Sequence, residues 1–428
     1  MRIWTLLAGL LLLGACASTA APADSLDAIA RDYVRLQLET GEREEGYIDA
    51  YYGPPEWQAA AKAAPRTVEQ LAAAAGELTR RTLAVRAGHD RLQQRRQAFL
   101  LAQLRAAETR LMMMRGEKLS FADEAEGLFG VRPELKPLSH YDAVLARIAA
   151  LLPGTGPLAE RVEAFQNRFT IPKEKLEPVF REAIAECRRR TLRHIPLPAH
   201  ETFTMEFVTG KSWSGYNWYK GNANSLIQIN TDLPIRISRA VDLGCHEGYP
   251  GHHVYNLLLE EELAKKRGWV EYTVYPLYSP QSFIAEGSAN YGIDLAFPGD
   301  ERLAYETRVL FPLAGLPTSD AAAYYGLQEA MKELAGARFT IAREYLEGRI
   351  DRARAVELVQ KYQLVSQARA EQSVSFTGQY RSYVINYGLG QDMVRAHIEG
   401  AGGTQAERWA AMRRILSEPT LPGELVRR

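Results

Sequence analysis

Cysteine is scarce in this chain: three residues among 428, at Cys16, Cys187 and Cys245. That is too few for a disulfide framework, so stability is expected from core burial, with Cys245 as a small buried hydrophobe on a helix. Net charge is missing as well, since 52 basic side chains balance 52 acidic ones. With no global field of either sign, nucleic acid is not an expected partner. Long apolar runs are also lacking. The stretch from Ile3 to Leu13 falls well short of the ~20 residues that span a bilayer.

That stretch follows Met1-Arg2 and leads into Gly14-Ala15-Cys16, the basic start, short apolar run and small residues of an export signal. The ending Leu13-Gly14-Ala15-Cys16 resembles a bacterial lipobox, in which the cysteine is lipidated and becomes the mature N-terminus. Simple secretion, with Cys16 discarded, is the alternative. Residues 1–16 are thus read as a lipoprotein signal peptide and 17–24 as a linker. Cys16 is the lipidation site that tethers the protein to the cell envelope, facing the periplasm; the membrane is met only through this anchor.

A composition of 46% hydrophobic and 24% charged residues supports a large globular core. The pattern predicts a helical half over 25–200, with helices at Leu71 to Leu83 and Arg91 to Arg115, and a second half over 201–428. One continuous domain is the alternative. Ile171-Pro172-Lys173-Glu174 reads as a helix start. The aromatic segment Tyr47 to Trp57 has no catalytic spacing and reads as a loop plugging the core, with cleft lining as a second possibility. Between Phe203 and Pro234, Thr204 to Val208 and Ser225 to Asn230 read as strands of a small antiparallel sheet, with a turn at Lys220 to Asn224. The edge of such a sheet can hold an extended peptide as an added strand, or the hairpin can simply cover the helices. Helices follow at Gln281 to Phe297, Thr318 to Leu334, Arg338 to Leu346 and Ala355 to Ser373. The fold class expected is mainly α.

The chemistry concentrates in His246-Glu247-Gly248-Tyr249-Pro250-Gly251-His252-His253. The His-Glu-x-x-His motif of zinc peptidases puts two histidines four residues apart on one helical face, with the glutamate as general base. Here Pro250 takes the second histidine's place. On a regular helix His246 and His252 would stand ~120° and ~9 Å apart, too far to share an ion. Pro250 lacks an N–H and its ring clashes with the preceding turn, while Gly248 and Gly251 free the backbone. A helix broken or bulged at Tyr249 to Gly251 is therefore predicted, bringing His252 to the face of His246. His253 is the lesser candidate.

The third ligand is sought in Ser282 to Tyr291, where Glu286 stands among apolar and small residues and would be costly to bury unpaired. Gly287, Ser288 and Ala289 would let this helix approach the motif closely. Asn290 and Asp294 follow on the same face as candidate partners for a ligand imidazole. The other histidines, His89, His140, His194, His200 and His397, lack ligand spacing.

These residues, with Tyr387-Gly388-Leu389-Gly390, resemble the bacterial domain-of-unknown-function 885 family, which is similar to the gluzincin metallopeptidases. The resemblance implies a zincin-like helical fold and peptidase chemistry, with zinc on two histidines and a downstream glutamate.

With Zn2+ on His246, His252 and Glu286, Glu247 is the expected general base. Tyr387, and after it Tyr383, is the candidate to share the oxyanion. Arg381 or Lys220 could hold a substrate carboxylate, with a solvated charge as the alternative for each. The expected activity is hydrolysis of peptides. The competing readings are another zinc amidohydrolase acting on cell-wall peptides and a non-catalytic binding lipoprotein. A base beside the metal favours a hydrolase, because a structural zinc site needs none.

Overall fold

Hydroxyl and carboxylate caps mark the helix starts of this computed structural model, which describes residues 24–426. The signal peptide, Cys16 and all but the last residue of the linker lie outside the described residues. Ser25 caps the Leu26–Gly41 helix, its hydroxyl accepting the amide of Ala28 at 3.2 Å. Thr67 and Gln70 form a capping box on Val68–Ala84, and Asp90 accepts from Leu92 and Gln93 at the start of Arg91–Met114. Apolar stripes on these three helices meet through Ile29, Tyr33, Leu71, Leu78, Leu100 and Leu104.

The described residues are mainly helical with two small sheets. Its largest core cluster runs in sequence from Tyr47 to Leu425 and encloses the histidine motif. A second joins Val144, Ile148 and Val162 to Leu327, Ile341 and Leu358, so apolar contacts cross position 200. No described helix is long and apolar enough to cross a membrane.

The segment expected as one helix from Ala355 to Ser373 is two, Arg352–Gln363 and Gln367–Tyr380. Leu364 between them adopts a left-handed backbone at φ 53° and buries its side chain, 1% exposed. Burial of that leucine overrides the helical propensity around it.

Five strands occur among the described residues: β1 (Ile48–Tyr51), β2 (Thr202–Val208), β3 (Gly215–Gly221), β4 (Asn224–Asn230) and β5 (Val274–Pro276). The aromatic segment at 47–57 thus contributes a strand, β1, paired antiparallel with β5. The other sheet has the order β2-β4-β3 and is mixed: β3 and β4 are antiparallel, but β2 runs parallel to β4. This corrects the all-antiparallel expectation. The connection at 209–214 crosses the end of β4 to its far side. Asn230 holds it by donating to the carbonyls of Lys211 and Trp213, and Asp232 by accepting from the amides of Gly210 and Lys211.

Cys245 is not a free buried hydrophobe. It is disulfide-bonded to Cys187 of the Leu176–Leu192 helix, 58 positions earlier, with the two Cα atoms 5.4 Å apart. That helix packs against the turn carrying His246, which is what brings two sequence-distant cysteines into reach.

Candidate metal centre and cleft

The chain from Gly244 to Gly248 is a widened π-helical turn, followed by extended Tyr249 and a cis Tyr249–Pro250 bond. Helix resumes at His252 and runs to Leu259. The break falls where Pro250 and its neighbours predict it. Gly251 is required sterically: its amide donates to the carbonyl of Cys245 at 3.0 Å, and a Cβ there would lie 1.8 Å from the carbonyl oxygen of His246.

The break turns both imidazoles to one point. Nε2 of His246 and Nε2 of His252 are 3.1 Å apart, and Oε2 of Glu286, on the Pro280–Ala296 helix, lies 3.1 Å and 3.7 Å from them. All three donor atoms fall within 4.8 Å of one another.

Surrounding groups fix these donors. Nδ1 of His246 is 3.0 Å from Oδ1 of Asn290, whose own Nδ2 donates to the carbonyl of Tyr387. The amide oxygen therefore accepts from Nδ1–H, which leaves the Nε2 lone pair free for a metal. Tyr383 donates to Oε1 of Glu286 at 2.8 Å. Burial acts to raise the Glu286 carboxyl, but His252 and His246 hold it well below the usual carboxylate range.

His253 faces the opposite way. Fully buried, it places Nδ1 2.8 Å from the Ser225 hydroxyl on β4 and Nε2 3.1 Å from Oε2 of Glu201. It therefore stands apart from the donor cluster. Burial would raise the Glu201 carboxyl, but hydrogen bonds from His253, Tyr249 and Arg188 outweigh it and hold the group down at about 2.

A cleft of ≈ 600 Å³ opens beside the cluster and is lined by Glu247, Gly215 to Asn217 of β3, Asp49 of β1, and Tyr387. Asn217 donates to the carbonyl of Glu247 at 2.6 Å, tying β3 to the motif. Gly215 leaves room for the base, since a Cβ there would come within 2.8 Å of Oε1 of Glu247. Burial pushes the Glu247 carboxyl up to about 8, with His252 opposing and Glu286 and Asp49 reinforcing the rise. The Tyr387 ring stacks beside that of His246 at 6.3 Å between centroids, and its hydroxyl makes no hydrogen bond among the described residues. Tyr383 has committed its hydroxyl to Glu286, so the two tyrosines are not equivalent.

Several expected positions lie elsewhere. Arg381 is ion-paired to Glu124 at 2.8 Å, and Lys220 sits over the Trp218 ring at 5.5 Å; neither lines the cleft. A carboxylate partner from a distant helix claims the arginine, a relationship invisible in local sequence. Asp294 binds Arg395 at 2.6 Å rather than an imidazole. Gly287 does bring two helices together, but its partner is Gly390, whose backbone a Cβ would meet at 2.6 Å, not the motif.

Asp49, Asn217 and Arg338 reach the cleft without having been singled out by sequence reasoning. Asp49 accepts from the Tyr216 hydroxyl, and burial raises its carboxyl to about 6 against that bond. Its only sequence signal was the aromatic cluster around it.

No protein-family model matches this sequence, and no curated protein matches it. Among solved structures, a candidate lipoprotein from Colwellia psychrerythraea aligns with a TM-score of 0.49 and 15% identity, over 82% of this chain and 67% of its own. An M32 carboxypeptidase from Deinococcus radiodurans R1 aligns with a TM-score of 0.47 and 13% identity, over 94% and 92%.

Proposed function

We infer that this protein is an exported zinc-dependent metallopeptidase. The observation that carries the reading is the convergence of His246, His252 and Glu286 on one point at the wall of a cleft that also holds Glu247. The donor set fits zinc: two imidazole nitrogens and a carboxylate whose buried Oε2 has no hydrogen-bond partner. Three protein ligands leave a position open, as a hydrolytic rather than a structural site requires. On this reading the chain belongs with the domain-of-unknown-function 885 family and shares the zincin arrangement.

His246, His252 and Glu286 would hold the zinc, which when bound would act as a Lewis acid toward a water and the scissile carbonyl. A bound dication nearby would favour the carboxylate form of Glu247 over the raised value that burial alone gives it, and in that form Glu247 accepts the proton of the attacking water and delivers it to the leaving amine nitrogen. Tyr387, with its hydroxyl uncommitted, donates to the carbonyl oxygen as it gains negative charge. Tyr383 and Asn290 position Glu286 and His246.

Export rests on the Met1 to Cys16 segment and is supported by the Cys187–Cys245 bridge, since disulfides persist in oxidising compartments.

The test is zinc content together with peptide hydrolysis for the wild type and Glu247→Gln. One zinc per chain in both proteins, with hydrolysis reduced about 10²- to 10⁴-fold in the variant, is expected. A fully active Glu247→Gln, or a wild type that takes up no metal, overturns the reading.

A further inference from the structure

Among the described residues, five lysine and arginine side chains line the cleft, and four are matched to anions. Arg239 pairs with Asp242, Arg302 with Asp242 and Glu306, Lys332 with Glu329, and Arg369 with Glu163 and the carbonyl of Pro234. Arg338 is the exception. Among the described residues it has no carboxylate or carbonyl partner, and its buried Nε makes no hydrogen bond. Its guanidinium carbon lies over two aromatic rings, 5.2 Å from the centre of Phe376 and 6.0 Å from that of Tyr387. Those rings supply attraction to its faces but no acceptor for its in-plane N–H groups. Arg338 is half-buried, with only its Nε closed off, so its remaining N–H groups open on the cleft without an acceptor, and a fork of N–H donors matches a carboxylate in two-point geometry.

Its position bears on which carboxylate. Arg338 and His246 both lie against the Tyr387 ring, 6.0 Å and 6.3 Å from its centre, so the guanidinium is no more than about 12 Å from that imidazole, a span of at most three to four residues of extended chain at roughly 3.5 Å each. Arg338 also lines a smaller adjoining cavity of ≈ 320 Å³ shared with Tyr387 and Asn290, so the space around it extends past the metal centre.

We propose that Arg338 binds a carboxylate of the substrate close behind the scissile bond, which makes the protein selective for peptides carrying an anionic group there, the free C-terminus first. The proposal rests on the peptidase reading and deepens it. An acidic side chain offers the same chemistry from a second source, and the test separates the two.

Binding is measured by calorimetry, with zinc added, to Glu247→Gln protein with and without Arg338→Gln. The probes are acetyl-alanyl-leucine, its C-terminal amide, and acetyl-alanyl-glutamic acid amide, whose only carboxylate is in its side chain. The free acid should bind about 10- to 100-fold more tightly than the neutral amide, and Arg338→Gln should remove that preference while leaving the neutral amide unchanged. Arg338→Lys, which keeps the charge but not the fork, should retain part of it and serves if the glutamine variant does not fold. A glutamyl amide that binds as well as the free acid assigns the carboxylate to a side chain. Equal binding of acid and neutral amide, no binding of either, or a preference that survives Arg338→Gln overturns the proposal. Since the readout is binding by protein already lacking its base, failure of the wild type to hydrolyse peptides counts against the proposed function and leaves this result standing.

Discussion

His246 and Asn290 meet at 3.0 Å through Nδ1 and Oδ1, and that contact selects which imidazole nitrogen faces the metal centre. Asn290→Ala should leave the fold intact but weaken zinc binding about 10- to 100-fold, measured by competition with a chelator of known affinity. Asn290→Asp, which still accepts from Nδ1–H, should restore most of it. Unchanged zinc affinity in the alanine variant would show that the ring is held by other contacts.

The two tyrosines should separate cleanly. Tyr383→Phe removes the donor to Glu286 and is expected to lower zinc affinity. Tyr387→Phe should keep zinc while kcat falls about 10- to 1000-fold, because its hydroxyl acts only as charge develops. The reverse pattern would exchange their roles.

Gly215→Ala tests the room left for the base. A methyl group there meets Oε1 of Glu247 at 2.8 Å and Cδ2 of Leu243 at 2.9 Å. With zinc content unchanged, kcat should drop about 10- to 100-fold as the carboxylate is displaced. Full activity would mean that β3 yields instead.

Acid should weaken the wall behind the motif. The Glu201 carboxyl is held at about 2 when folded, against an unfolded value of 4.5, so its stabilisation is present above 4.5 and is lost as pH falls through about 2. Glu201→Gln is expected to cost about 2–3 kcal/mol at pH 7 by urea unfolding, with the gap from wild type closing toward pH 2. A gap that stays constant with pH would assign the cost to packing.

The placement of His246, His252 and Glu286 was legible because it depends on local rules: a proline that must open a helix, glycines that permit it, and a lone acid among small residues. Asp49 and Arg338 were not, because they reach the cleft from elements about 200 and 90 positions from the motif, and only tertiary packing places them there. The Cys187–Cys245 bridge escaped for the same reason, since a cysteine count is silent about which helices touch. The parallel pairing of β2 depends on where the 209–214 connection crosses, which strand propensity does not encode. Arg381 is claimed by Glu124 on another helix altogether, a pairing that local sequence does not carry.

Two adjacent imidazoles, His252 and His253, point to opposite sides of one helix start. The outer one is free to serve an ion because the inner one is anchored to Ser225 of β4 and to Glu201 just before β2. The strand wall and the metal face are thus joined through a single peptide unit, the bond between His252 and His253, so the sheet contacts of one imidazole fix the backbone from which the other reaches the ion site.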